Sequence, residues 1–280
     1  GCLVTANTFG TLDILMKHSK EDDLSRFLPK NLLVESPHPE EIPLKSLSFT
    51  MSWLPTIHPS WITIAMKEFP PEIQGQLLAW LPEPLVQEIL PLLPGISIAP
   101  HRCAPFGAFY LLDMLSKKIR PCGITEEIFL PASSANAILY YTGPVKIALI
   151  NCLGLYSIAK ELKHILDKVV IERVKNALSP TEKLFLTYCQ SHPMKHLETT
   201  NFLSSWTTDA ELRQFVHKQG LEFLGKALTK ENASFLWYFL RRLDVGRAYI
   251  VEQTLKTWYD HPYVDYFKSR LEQCMKVLVK

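Results

Sequence analysis

His58-Pro59-Ser60-Trp61-Ile62-Thr63-Ile64-Ala65-Met66 leads through Phe69 to Pro71-Glu72, and the apolar stretch Leu77-Leu78-Ala79-Trp80-Leu81 then ends at Pro82. The prolines decide how this is read. In the first turn of a helix a proline gives up an N–H that has no intrahelical partner, whereas in the interior it breaks the helix. Pro59 and Pro71 therefore open two short helices, and Pro82 stops the second. Glu72 falls in a first turn, where the helix dipole favours an anion. Pro84 opens a third helix with Leu85, Val86, Ile89, Leu90 and Leu93, and Pro94-Gly95 ends the run. The spacing predicts a three-helix module over 46–95, with Ile64, Phe69, Leu77, Leu78 and Leu81 buried. Trp61 sits about a hundred degrees around the helix from Ile62, off the face of Ile62, Ala65 and Phe69, so partial exposure beside His58 and Pro59 is expected.

Outward from this module the chain keeps a helical character. Upstream, Thr11 to Phe27 carries Leu12, Ile14, Leu15, Leu24 and Phe27 and predicts a helix, while Leu28 to Pro43 predicts an extended linker. Downstream, Ile96 to Pro105 is a connection, and Phe106 to Leu115 is apolar on most sides, which predicts a buried helix ending at Lys117-Lys118. Ser133 to Tyr141 and Val145 to Leu153 are rich in Ala and Leu and favour helix over strand. Leu155 to Val174 holds a 3.6-residue period. Ser179-Pro180-Thr181-Glu182 and Thr208-Asp209-Ala210-Glu211 are capping signals. Asp244-Val245-Gly246 predicts a helix junction, with Gly246 permitting the bend and Asp244 capping the helix that follows.

Strand-like alternation never persists, and glycine is scarce at 11 residues. The expected fold is all-α, with stacked short helices and the three-helix module followed by a larger helical domain. The boundaries expected are 1–45 for an N-terminal helix and linker, 46–98 for the module, 99–153 for a helical connecting region and 154–280 for the C-terminal domain.

Composition narrows the function. Hydrophobic residues make 47% of the chain and charged ones 21%, enough for a packed core. A net charge of +2 is too mild for nucleic acid, which calls for a basic stripe with interleaved aromatics, so no nucleic-acid partner is expected. The 6 cysteines are scattered without CxxC spacing, which points to reduced thiols in a cytoplasmic setting. Val145 to Ala159, the longest apolar run, is broken by Lys146, Asn151 and Gly154 and is too short to span, so no membrane insertion is expected. No basic region followed by an apolar one marks a signal peptide.

Chemistry-bearing motifs are not found. His192 and His196 have the spacing of a helical metal pair, but Pro193 intervenes and HExxH is absent. His101, Cys103 and Cys122 lack a fourth ligand. Gly-x-Ser-x-Gly and both glycine-rich phosphate loops are absent. No catalytic, cofactor-binding or metal residues are therefore expected. Three consecutive aromatics, Trp237-Tyr238-Phe239, cannot share one helix face, so at least one is expected at the surface or a partner. His58, Pro59, Ser60 and Trp61 are the partner-binding candidates.

The stretch from Ser46 to Gly95 resembles the middle domain of FliG, the flagellar motor switch protein. The order His-Pro, apolar helix, Pro-Glu, helix, Leu-Pro is kept without a gap. In that family a Glu-His-Pro-Gln motif starts the helix and docks the next rotor protein. Here Ile57 stands where the glutamate is expected and Ser60 where the glutamine is. Tyr266 to Lys280 supplies no clearly charged torque helix, so the resemblance points to the SctK type of FliG-like accessory protein in type III secretion. It implies a non-enzymatic scaffold of the sorting platform, linking an inner-membrane ring protein to cytosolic platform subunits. Such a protein would be cytoplasmic and peripheral to the inner membrane through its partners. Two other readings stand beside it: a flagellar motor switch-like protein, and an enzyme whose His or Cys site is assembled from distant residues.

Overall fold

The computed structural model describes residues 53–197 and 200–278. The helix expected over Thr11 to Phe27 and the linker that follows it lie outside the described residues. Among the described residues every regular element is helical, and the fold is all-α. The chain divides into two compact units between Cys122 and Gly123. No helix among the described residues is long and apolar enough to cross a membrane.

Among the described residues of the first unit the α-helices are α1 (Pro59–Met66), α2 (Pro71–Trp80), α3 (Glu83–Ile89) and α4 (Pro105–Ile119). α1 and α2 start at Pro59 and Pro71 as the sequence predicts, and α3 starts at Glu83 with Pro84 in its first turn. Gly95 ends the run at φ +84°, a left-handed conformation that glycine adopts without a Cβ penalty. α4 packs on α1 and α2 and buries Ala108, Leu112, Leu115 and Ile119 against them. Among its described residues the unit therefore has four α-helices, and the expected 99–153 connecting region is split, its first helix belonging here. Phe69, Leu77, Leu78 and Leu81 are buried as expected, but Ile64 is 46% exposed. The inward face of α1 is Ile62, Ala65 and Met66, and Ile64 lies about two hundred degrees from Ile62.

The second unit is built on α5 (Gly143–Leu162), buried almost throughout from Leu149 to Leu162. Around it come α6 (Lys168–Ala177), α7 (Pro180–Ser191), α8 (Asp209–Leu228), α9 (Ala233–Arg241), α10 (Val245–Thr257) and α11 (Val264–Leu278). α7, α8 and α11 pack on α5, and α10 and α11 pack on α8. The α5–α8 crossing is close enough to need glycine on both sides. A Cβ on Gly154 would lie 1.8 Å from the Val216 carbonyl oxygen, and one on Gly220 would lie 1.8 Å from that of Ile150. Gly154 is thus a contact point inside one continuous helix, and the boundary expected between 153 and 154 falls within α5.

Two further expectations are corrected. The periodic stretch from Leu155 to Val174 is two helices: α5 ends at Leu162, Leu166 is exposed, and the Asp167 carboxylate caps α6 by accepting from the Val169 N–H at 2.8 Å. Trp237, Tyr238 and Phe239 are all buried. α9 is enclosed, with α10 on one side and the 3-10 turns Glu127–Phe129 and Ser134–Tyr140 on others, so a helix can bury three successive side chains. Both capping boxes form, at Ser179/Glu182 and Thr208/Glu211. Asp244 caps α10 through the Arg247 N–H at 3.1 Å, while Gly246 sits inside the first turn and makes no bend.

Candidate functional site

His58 is the N-cap of α1. Its backbone is extended, and Nδ1 accepts from the Ser60 N–H at 3.3 Å and lies 3.0 Å from Ser60 Oγ. Pro59 occupies the first turn, and its carbonyl accepts from Thr63 Oγ1 at 2.9 Å. His58, Pro59, Ser60 and Trp61 are all half-buried. The four residues come together as one helix start, with the imidazole acting as a cap, as Ser or Asp does elsewhere. The most open apolar group on α1 is Ile64, one turn further along.

Among the described residues of this unit the larger apolar surface is on α4, where Phe106 is 82% and Tyr110 59% exposed and Phe109 is exposed beside them. These positions run i, i+3, i+4 on the face opposite Ala108, Leu112, Leu115 and Ile119. The sequence expectation of a buried helix holds for one face only. Lys117, in the last turn, is paired with Asp113 at 2.6 Å, which raises the lysine pKa first through that hydrogen bond and then through the opposite charge.

A second exposed cluster belongs to the second unit. The Arg242 side chain, 9% exposed, donates to the Glu127 carboxylate at 2.6 Å and to the Leu139 carbonyl at 2.6 Å. One guanidinium thereby ties both 3-10 turns to α9, a use that needs its rigid fork of donors. Ile128, Phe129 and Tyr140 stand on those turns and point into solvent. Sequence reasoning missed this cluster, because the tie joins residues more than a hundred positions apart.

The histidine that comes nearest to a catalytic arrangement is His217. Arg247 Nε–H donates to His217 Nε2 at 3.0 Å, Nδ1–H then donates to Asn151 Oδ1 at 2.9 Å, and Asn151 Nδ2 donates to Glu182 Oε1 at 3.3 Å. Glu182 Oε2 accepts from the Ser179 N–H at 2.9 Å. Burial, and then the Arg247 charge, hold the His217 pKa below its ordinary value. The chain of bonds links α10, α8, α5 and α7 and uses both imidazole nitrogens, so it braces four helices. A cavity of about 360 Å³ adjoins it, lined in part by Asn151, Asn176, Glu182 and Arg213. His101, Cys103 and Cys122 are not gathered: among the described residues, no group of three or more His, Cys, Asp or Glu side chains could hold a metal ion.

The fold and surface define a helical protein of two compact units, each with exposed large apolar side chains. No protein-family model matches the chain, and no match is found among curated proteins or solved structures.

Proposed function

We propose that the chain is a non-enzymatic docking protein, an adaptor of a type III secretion sorting platform that joins an inner-membrane ring protein to cytosolic platform subunits. The observation that carries this is the second face of α4. One face completes the core of its unit, and the other holds Phe106, Phe109 and Tyr110 in solvent. Aromatic side chains grouped on an exposed face are typical of surfaces that a partner covers. The class of partner comes from the resemblance of Ser46 to Gly95 to the FliG middle domain, in which the His-Pro helix start docks the next protein. His58, Pro59, Ser60 and Trp61 are the contact residues on this reading. The protein is cytoplasmic and reaches the inner membrane through its partners.

The test is a pull-down from the native host, read by mass spectrometry. Ring and platform subunits of a secretion system are expected. Recovery of flagellar rotor proteins instead would replace this assignment with the motor switch one. Trp61→Ala is expected to leave the thermal midpoint nearly unchanged while weakening retention of those partners. If it unfolds the protein, Trp61 is core and the contact lies elsewhere.

A further inference from the structure

A second cavity, of about 240 Å³, lies between α5, α7 and the segment that follows α7. Its floor is apolar and buried: Tyr156, Ala159, Cys189 and Met194. Its rim is basic and exposed: Lys163, His164 and Lys195, with the half-buried Lys160 between rim and floor. The Lys160 ammonium is held in place by the Leu197 carbonyl. No carboxylate is among the described residues that line the cavity.

Tyr156 makes the floor more than a packing gap. The residue is 2% exposed, and its buried hydroxyl has no hydrogen-bond partner among the described residues. Such a group normally finds a partner, and leaving it without one costs about 1–3 kcal/mol. The ring cannot swing away to find one. Phe223 stacks on it at 5.6 Å and Phe185 meets it edge-on at 5.7 Å. Burial also pushes the phenol and the Cys189 thiol well above their ordinary pKa values, so both stay protonated. The polar side chains on offer are ammonium groups, an imidazole and a neutral phenol, a set suited to an acceptor that carries negative charge.

We propose that this cavity binds a small carboxylate with an apolar body, the hydrocarbon against Ala159 and Met194 and the carboxylate among the Lys163 and Lys195 ammonium groups and the Tyr156 hydroxyl. At about 240 Å³ it is smaller than the usual range of drug-sized ligand pockets, about 300–1,000 Å³, which restricts the occupant to small molecules. The docking role and this site are independent, and the failure of one leaves the other standing.

Calorimetric titration of the full chain with octanoate, octanol and inorganic phosphate tests the proposal. Octanoate is expected to bind saturably, with octanol (tail without charge) and phosphate (charge without tail) each at least about tenfold weaker. Tyr156→Phe is expected to weaken octanoate binding by about fivefold to tenfold. It should not lower the melting temperature of the ligand-free protein, since the hydroxyl it removes has no partner among the described residues. Lys163→Gln with Lys195→Gln, both exposed, should weaken binding without touching the core, and serves if Tyr156→Phe fails to fold. No saturable octanoate binding overturns the proposal. So does octanol or phosphate binding as tightly as octanoate, or a Tyr156→Phe protein that melts lower without ligand and binds octanoate unchanged; the last result would mean water satisfies the phenol.

Discussion

At the scale of single residues, His217 has the clearest chemical consequence. Its neutral form fits between the Arg247 guanidinium, which donates to it, and Asn151, which accepts from it. A second proton would set a donor against the Arg247 donor and a charge beside a like charge. Burial first, and then the Arg247 charge, place the folded pKa below the unfolded one, about 6.5. Between the two values the unfolded chain binds a proton that the folded chain does not, so stability rises with pH across that window. It is complete above about 6.5 and is lost as pH falls toward the folded value. The thermal midpoint should drop between pH 7.5 and pH 5.5, and His217→Gln should reduce the drop; an identical drop in that variant would show that other groups set it. Ile64 and Leu78 give a second contrast. Leu78, 1% exposed, should cost about 2–5 kcal/mol as Leu78→Ala, whereas the exposed Ile64 should cost under about 0.5 kcal/mol as Ile64→Ala. Urea denaturation of the two variants measures both, and equal losses would contradict the assignment of the inward face of α1.

At the scale of elements, the α5–α8 crossing is the tightest joint of the second unit. A methyl on Gly154 would overlap the backbone of α8, which no rotamer change relieves, so the helices must separate. Overpacking of this kind costs about 1–3 kcal/mol and occasionally more. Gly154→Ala should therefore lower stability by at least about 1 kcal/mol in urea, and a neutral result would mean that the crossing is looser than the geometry shows. Much of this level was legible in the sequence. Proline at first-turn positions and the Ser179 and Thr208 boxes located helix starts, because their chemistry is local. Gly154 was misread as a break, since what it accommodates is Val216, sixty-two positions away. The same holds for Trp237-Tyr238-Phe239. Helical spacing counts faces, but the two 3-10 turns that cover the extra face come from residues 127–140. The break after Leu162 was hidden because Ile165 and Leu166 continue the apolar period in a turn.

For the whole molecule, the division at Cys122/Gly123 differs from the boundaries that apolar runs suggested. Composition marks connections where prolines gather, as over Ile96 to Pro105, yet α4 beyond them returns to pack on α1 and α2. The candidate contact surfaces were legible to the same uneven degree. The helix start at His58 to Trp61 could be read from its motif, whereas the outer face of α4 could not, because a sequence apolar on both sides does not say which side has a neighbour. The second unit makes the division testable. Its core is its own: Leu153, Leu155 and Ile158 of α5, Phe185 of α7, Leu221 and Leu224 of α8, and Phe267 and Leu271 of α11 are all buried. The Arg242 tie, the His217 chain and the α5–α8 crossing all lie within residues 123–280. Gly123 opens the unit at φ +91°, a natural place to separate it. A unit with its own core can in principle fold alone. Residues 123–280 expressed by themselves should give a helical far-ultraviolet circular dichroism spectrum and one cooperative thermal transition. Gly154→Ala should lower that transition, as it is expected to lower the stability of the full chain. A fragment that is unfolded, or melts without cooperativity, would show that the core of this unit depends on residues before Gly123.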